Sequence, residues 1–198
     1  AYALKTNTEQ DDYTDLANFI DILNNTPANE LHTHLEPVFN VNSYLKYLAV
    51  EVLSGHWDAY SFLKNNFYLY HNQQTDKFEF IPYDTDNTYG IDWFGIDWAV
   101  RNIYDWTWEG EYRPLTERLL ENQVYKDRFS FFIEEMLTEY FDPAVIFPYI
   151  DNIKAMITIS AENDIYRTYD YGYSIQDFHD SYTSALGAHV TYGLKPYI

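Results

Sequence analysis

Phe67–Tyr70 and Phe78–Ile81 are two short aromatic-rich runs separated by the polar stretch HNQQTD. Runs of this kind joined by a polar turn spell an antiparallel hairpin. Pro82 lacks a backbone donor and ends the second strand. The other clearly periodic segments repeat at the helical spacing, so the hairpin is the one sheet element the pattern offers. A two-stranded sheet is barely stable alone in water and must lie against something else. The expected fold class is therefore α+β, mainly α: a helical body carrying a small β-hairpin, as a single domain over residues 1–198.

The helices follow from spacing and punctuation. Leu16, Phe19, Ile20 and Leu23 share one face of a helix over Thr14–Asn25, with Thr14 as its cap and Pro27 beyond its end. Asn42 or Ser43 opens a second helix with Tyr44, Leu45, Leu48, Ala49 and Val52 inward, and Gly55 closes it. Pro114 starts a short helix through Leu120. Phe129, Phe132, Ile133, Met136, Leu137 and Tyr140 mark a core-facing helix. Asp142-Pro143 is a cap followed by a first-turn proline, opening a helix to about Ile159. A last helix is expected from Ser174 to near Leu186. Between Tyr83 and about Arg113 runs a long loop rich in Asp, Trp and Gly, and loops of that length inside a domain are usually functional.

Charge narrows the partners. With 31 Asp and Glu against 12 Lys and Arg, the formal charge is −19. Such a surface repels nucleic-acid phosphates and anionic lipid, and it favours basic peptides and divalent cations. The absence of cysteine excludes disulfides, thiolate metal sites and a cysteine nucleophile. No stretch approaches the roughly 18 apolar residues of a membrane span. The opening residues AYALKTNTEQDD have neither the basic start nor the apolar run of a signal peptide. A mature secreted protein, a cytosolic one and an excised fragment all fit these facts.

The candidate chemistry gathers at one end of the hairpin. Asp58 lies in the loop before the first strand, and Asp84 and Asp86 follow the second. Antiparallel pairing sets the start of one strand beside the end of the other. The three carboxylates should therefore meet, with Asn65 and Asn66 beside them. Carboxylates after a strand suit magnesium, which takes hard oxygen ligands and bridges nucleotide phosphates. A separate aspartate can orient a hydroxyl acceptor and take its proton. The spacing alone also fits plainer roles: Asp58 as a turn or cap, and the two asparagines as partners of backbone groups at a strand start. It does not fit an EF-hand, because Gly90 is one place late and no closing Glu follows.

The strings WD, NNFYLY and FEFIPYDTDNTYG, with PLTERLLENQVYKDRF further on, resemble the CotH (spore coat protein H) kinase family over about Leu31 to Ile198. The resemblance implies an atypical protein-kinase helical lobe and phosphorylation of serine on a secreted or spore-coat protein. It implies Mg2+ (or Mn2+ or Ca2+) and ATP as cofactors, a Ser-rich basic protein substrate, and an extracellular, cell-surface or spore-coat location in a bacterium. Carried across, Asp58 is the catalytic aspartate, Asp84 and Asp86 are metal ligands, and Asn65 and Asn66 assist the cofactor site. Two positions depart from the family pattern: His56 stands where Asn is usual, and Tyr83 where Trp is usual.

A kinase also needs a strand lobe with a phosphate-contacting lysine. The 57 residues before Asp58 read as mostly helical and offer only Lys5 and Lys46. The expectation is that this chain holds the catalytic lobe without the nucleotide lobe and is inactive alone. Two other readings stay open: a carbohydrate-binding or glycan-cleaving module built on the same carboxylates and tryptophans, and a degenerate kinase used for binding. His32 and His34 read as surface strand or loop, and the cluster Trp93, Trp98, Trp106 and Trp108 as packing rather than a substrate groove.

Overall fold

A computed structural model describes residues 3–169 and 171–198. The first elements are α1 (Thr14–Asn25), α2 (Leu31–Leu35), α3 (Val41–Ser54) and α4 (Tyr60–Leu63). A hairpin of β1 (Phe67–Asn72) and β2 (Lys77–Pro82) follows. After the long loop come α5 (Pro114–Glu121), α6 (Gln123–Glu139), α7 (Pro143–Glu162), α8 (Ile175–Asp180) and α9 (Leu194–Tyr197). The described residues are thus mainly helical with one small antiparallel sheet, as the lone hairpin signal required.

The centre of the molecule is α3. Asn40 caps it by accepting the Ser43 N–H, and Gly55 ends it in the left-handed region at φ +70°. A Cβ at Gly55 would run into the Tyr197 hydroxyl and crowd the Trp98 Cβ, so the left-handed conformation and the close approach both favour glycine. Leu45 and Leu48 are fully enclosed, each contributing about 2–3 kcal/mol of burial. On one side α3 meets α6 through Phe129, Phe132 and Ile133; on another it meets β2.

The hairpin register pairs Phe67 with Pro82 and Leu69 with Phe80. Phe78 and Phe80 point inward, and Phe80 stands edge-on to Tyr44 at 5.0 Å between ring centres. Outward, Tyr68 stacks on Tyr83 at 4.8 Å. This alternation fixes which face of the hairpin packs on the helical core.

The long loop has no regular structure but is pinned from within. The Asp92 carboxylate accepts the N–H groups of Phe94, Gly95 and Ile96 and the Trp98 indole N–H. Trp98 and Trp106 are buried, as the packing reading expected, whereas Trp93 lies 48 % exposed. Gly90-Ile91-Asp92-Trp93 recurs in sequence as Gly95-Ile96-Asp97-Trp98 but not in structure, because Asp97 instead accepts the Tyr192 hydroxyl at the surface. A much later segment covers the loop: Thr191 N–H donates to Gly90 O, and Asp92 N–H to His189 O.

Several local expectations differ from the structure. Thr14 is the first residue of α1 rather than its cap, and its N–H and hydroxyl both donate to Asp12. His32 and His34 lie on α2, not on a strand or loop, because Leu31 and Leu35 bury that turn in the core. The last expected helix stops at Asp180: Ser174 and Asp177 form a capping box at its start, but Ser181 and Tyr182 carbonyls accept from Leu194 and Lys195 and turn the chain away. Among the α7 residues only Ile150 is buried, leaving Val145, Tyr149, Met156 and Ile159 at the surface. No helix among the described residues is long and apolar enough to cross a membrane.

Candidate functional site

The end of α3 sets the site. Once Gly55 breaks the helix, the His56 N–H turns back to Glu51 O, and Trp57 anchors outward through its indole N–H to Ile91 O. Asp58 follows, half-buried, immediately before α4. Lys64 at φ +58° ends α4, and Asn66 at φ +55° starts the hairpin. Left-handed backbone is least costly for Gly, Asn and Asp. Asp84 takes the same conformation at φ +53° after β2.

These turns bring the sequence-predicted residues together around Asp58. The Asn65 side-chain amide donates to Asp58 Oδ1 at 2.9 Å, and that of Asn66 donates to Oδ2 at 3.0 Å. The Asn66 amide also reaches the main-chain carbonyl of Asp58 at 2.9 Å. The carboxylate accepts only, so both amide NH2 groups must face it. Asn66 O accepts the Tyr83 N–H, tying the two strand ends to the site.

Asp84 and Asp86 are exposed, and neither carboxylate has a hydrogen bond among the described residues. Their place is marked by His56. Burial pushes the His56 imidazole below its ordinary pKa, while its bond to Asn87 O and the negative charges of Asp58, Asp86 and Asp84 pull the other way. All three negative charges therefore favour a proton on that buried ring. Two residues of this arrangement were not singled out as site members beforehand. His56 is buried, with its Nδ1–H facing the Asn87 carbonyl at 3.3 Å. The Asn87 amide reaches Asp58 Oδ2, also at 3.3 Å. The only signal for Asn87 was its place directly after the acidic pair.

The donor set suits a hard divalent cation. Among the described residues no three His, Cys, Asp or Glu side chains form a closed cage. Magnesium does not require one, since it commonly takes one or two carboxylates and completes its shell with water and substrate phosphates. Asp84 and Asp86 meet that description, and Asp58 stays engaged with its three amide donors.

The family description CotH kinase protein matches residues 1–188. This chain belongs to that family. It is also similar to inner spore coat protein H of Bacillus subtilis (strain 168), at 28 % identity over 173 residues, covering 84 % of this chain and 45 % of that relative. The chain thus spans less than half the length of the spore coat relative. In this CotH family member the residues matched include all of those around Asp58.

Proposed function

We propose that this chain is the helical catalytic lobe of an atypical, protein-kinase-like enzyme. It would transfer the terminal phosphoryl group of ATP to serine on a protein of the spore coat or another secreted protein. The observation that carries the reading is the Asp58 carboxylate held by the Asn65, Asn66 and Asn87 amides at the open end of the hairpin, beside the segment that carries Asp84 and Asp86, in a chain of the CotH family. Sugar chemistry gives no reason for two asparagine amides locked onto one of those carboxylates.

Asp58 is the base in this reading. Asn65 and Asn66 fix the rotation of its carboxylate, so one oxygen edge faces the incoming serine hydroxyl. The proton passes to Asp58, the serine oxygen bonds to the γ-phosphorus, and the bond from that phosphorus to the ADP oxygen breaks. Magnesium bound with ATP supplies charge neutralisation along the phosphates. Asp84 and Asp86 would hold it, and Asn65 or Asn66 would assist at its edge. The net charge of −19 favours a basic, Ser-rich protein partner over nucleic acid or an anionic membrane. The relative's name supports a place in the bacterial spore coat.

No strand precedes β1 among the described residues, and Lys46 lies on α3 with its ammonium over the Phe132 ring. Phosphoryl transfer depends on alignment by both sides of a cleft. This chain alone is therefore expected to bind ATP weakly and transfer nothing useful. The test is the full-length protein carrying this chain, incubated with magnesium, labelled ATP and a basic Ser-rich peptide. Label transfer should occur and should fall at least 100-fold with Asp58→Asn, of the order expected for a lost general base. Glycan binding or cleavage without any phosphotransfer would replace the reading with the carbohydrate one.

A further inference from the structure

We infer that Asn87 is a positioning residue of this site: it latches the loop after β2 to the loop before α4 by gripping both with opposite ends of one residue. Its side-chain amide holds Asp58 Oδ2 at 3.3 Å, and its main-chain carbonyl is held by the His56 Nδ1–H at 3.3 Å. Both distances are at the long end for hydrogen bonds, but they act together across a span of about thirty residues.

The surroundings make the latch specific. His56 is 2 % exposed, and its Nε2 has no partner, so the ring's one hydrogen bond goes to Asn87. A carbonyl partner fixes the hydrogen on Nδ1. The His56 main chain is itself anchored, because the Trp106 indole N–H donates to His56 O and the His56 N–H donates to Glu51 O. On the far side of Asn87, Tyr89 N–H donates to Ser54 O at 2.6 Å, closing the loop back onto the end of α3. With the Tyr83 N–H on Asn66 O before it and Asn87 after it, the acidic pair hangs between two fixed points.

Asp58 has three side-chain amide donors, and they are not equivalent. Asn65 and Asn66 come from the hairpin start, seven and eight residues along the same stretch of chain. Asn87 alone comes from the segment that carries Asp84 and Asp86. Without it, the acidic segment loses the one side chain of its own bonded to the Asp58 carboxylate, and what remains is the Asn66 amide, which bonds to Asp58 and reaches the Asp84 main-chain carbonyl only at 3.5 Å. Each carboxylate can still work separately, but their mutual distance is then held only from the hairpin side, through Asn66. A misplacement near 1 Å at such a centre costs on the order of 100-fold in rate. The consequence for turnover rests on the kinase reading; the latch itself does not.

Two measurements test this. The first is a double-mutant cycle in the stability of the full 198-residue chain, using Asn87→Ala and Asp58→Ala. Residues in direct contact should show coupling of about threefold or more in the unfolding equilibrium. Additive effects would overturn the latch, and Asp58→Asn serves in the cycle if Asp58→Ala fails to fold. The second is kinetic, in the full-length protein. Asn87→Ala should lower kcat about tenfold or more while KM for ATP with magnesium stays within about twofold, and Asn87→Gln should recover part of the loss. An unchanged kcat, or a raised KM at unchanged kcat, would overturn the positioning role. Wild-type protein with no phosphotransfer would instead refute the kinase reading, and the stability cycle would still decide the latch.

Discussion

Replacing Glu51 with glutamine should flatten the pH dependence of this protein's stability. Glu51 is 1 % exposed near the end of α3, and neither carboxyl oxygen has a hydrogen-bond partner. Tyr44 and Tyr47 of α3 and Ser61 of α4 stand around it. The Tyr44 and Ser61 hydroxyls both bond to Thr116 of α5 rather than to it. Burial pushes its pKa from 4.5 up to about 8, although the nearby Ser61 and Tyr47 hydroxyls pull it down. The group is raised in the folded state, so its contribution is fully present below pH 4.5 and is lost as pH climbs through about 8. At about 1.4 kcal/mol per pH unit, that interval sets a ceiling of about 5 kcal/mol, comparable to the whole stability of a small domain. A glutamine there would keep the shape and never ionise. Urea unfolding followed by tryptophan fluorescence at several pH values between 5 and 8.5 provides the assay. The wild type should lose stability with rising pH relative to the variant, by up to about 1.4 kcal/mol per unit. Parallel curves for the two proteins would refute the reasoning and mean that Glu51 is ionised, or neutral, throughout.

Three other outcomes follow from the geometry. Gly55→Ala places a Cβ against the Tyr197 hydroxyl at a left-handed position and should cost roughly 2 kcal/mol or more in chemical denaturation. Asp92→Ala strips four donors of their shared acceptor; thermal unfolding should show a loss of about 2–4 kcal/mol and increased exposure of Trp98. Manganese binding measured by calorimetry should weaken at least tenfold in Asp84→Asn and in Asp86→Asn, and equal binding by wild type and variants would remove both residues from the metal site.

How much of this was readable beforehand depended on the range of the interactions involved. The bounds of α1, the hairpin and the Asp142 cap of α7 were legible because each is decided within a few residues by caps, prolines and period. The one-turn helices α2 and α4 were not legible. Leu31, Leu35 and Phe62 become helical there because tertiary burial holds them, and four or five residues carry no period of their own. The end of α8 was missed for the same reason: what stops it is the return of Leu194 and Lys195 from further along the chain. At the site, Asp58, Asn65 and Asn66 could be brought together from the hairpin alone. Asn87 and His56 could not, since their meeting depends on the path of a loop pinned by Tyr89 to Ser54.

The cover over that loop sets an order of events during synthesis. Thr191 reaches back 101 residues to Gly90, and Tyr197 packs against Gly55. A chain emerging at about 5–20 residues per second leaves the acidic loop uncovered for roughly 5–20 s after it has been made. Through that interval α1 to α6 can assemble around α3, but Asp92, His189 and Gly90 cannot yet meet. The nascent protein would therefore acquire its helical core well before its acidic loop takes its final path. A ribosome-stalled chain ending before residue 189 should resist protease in the helices while remaining cleavable between Tyr83 and Arg113.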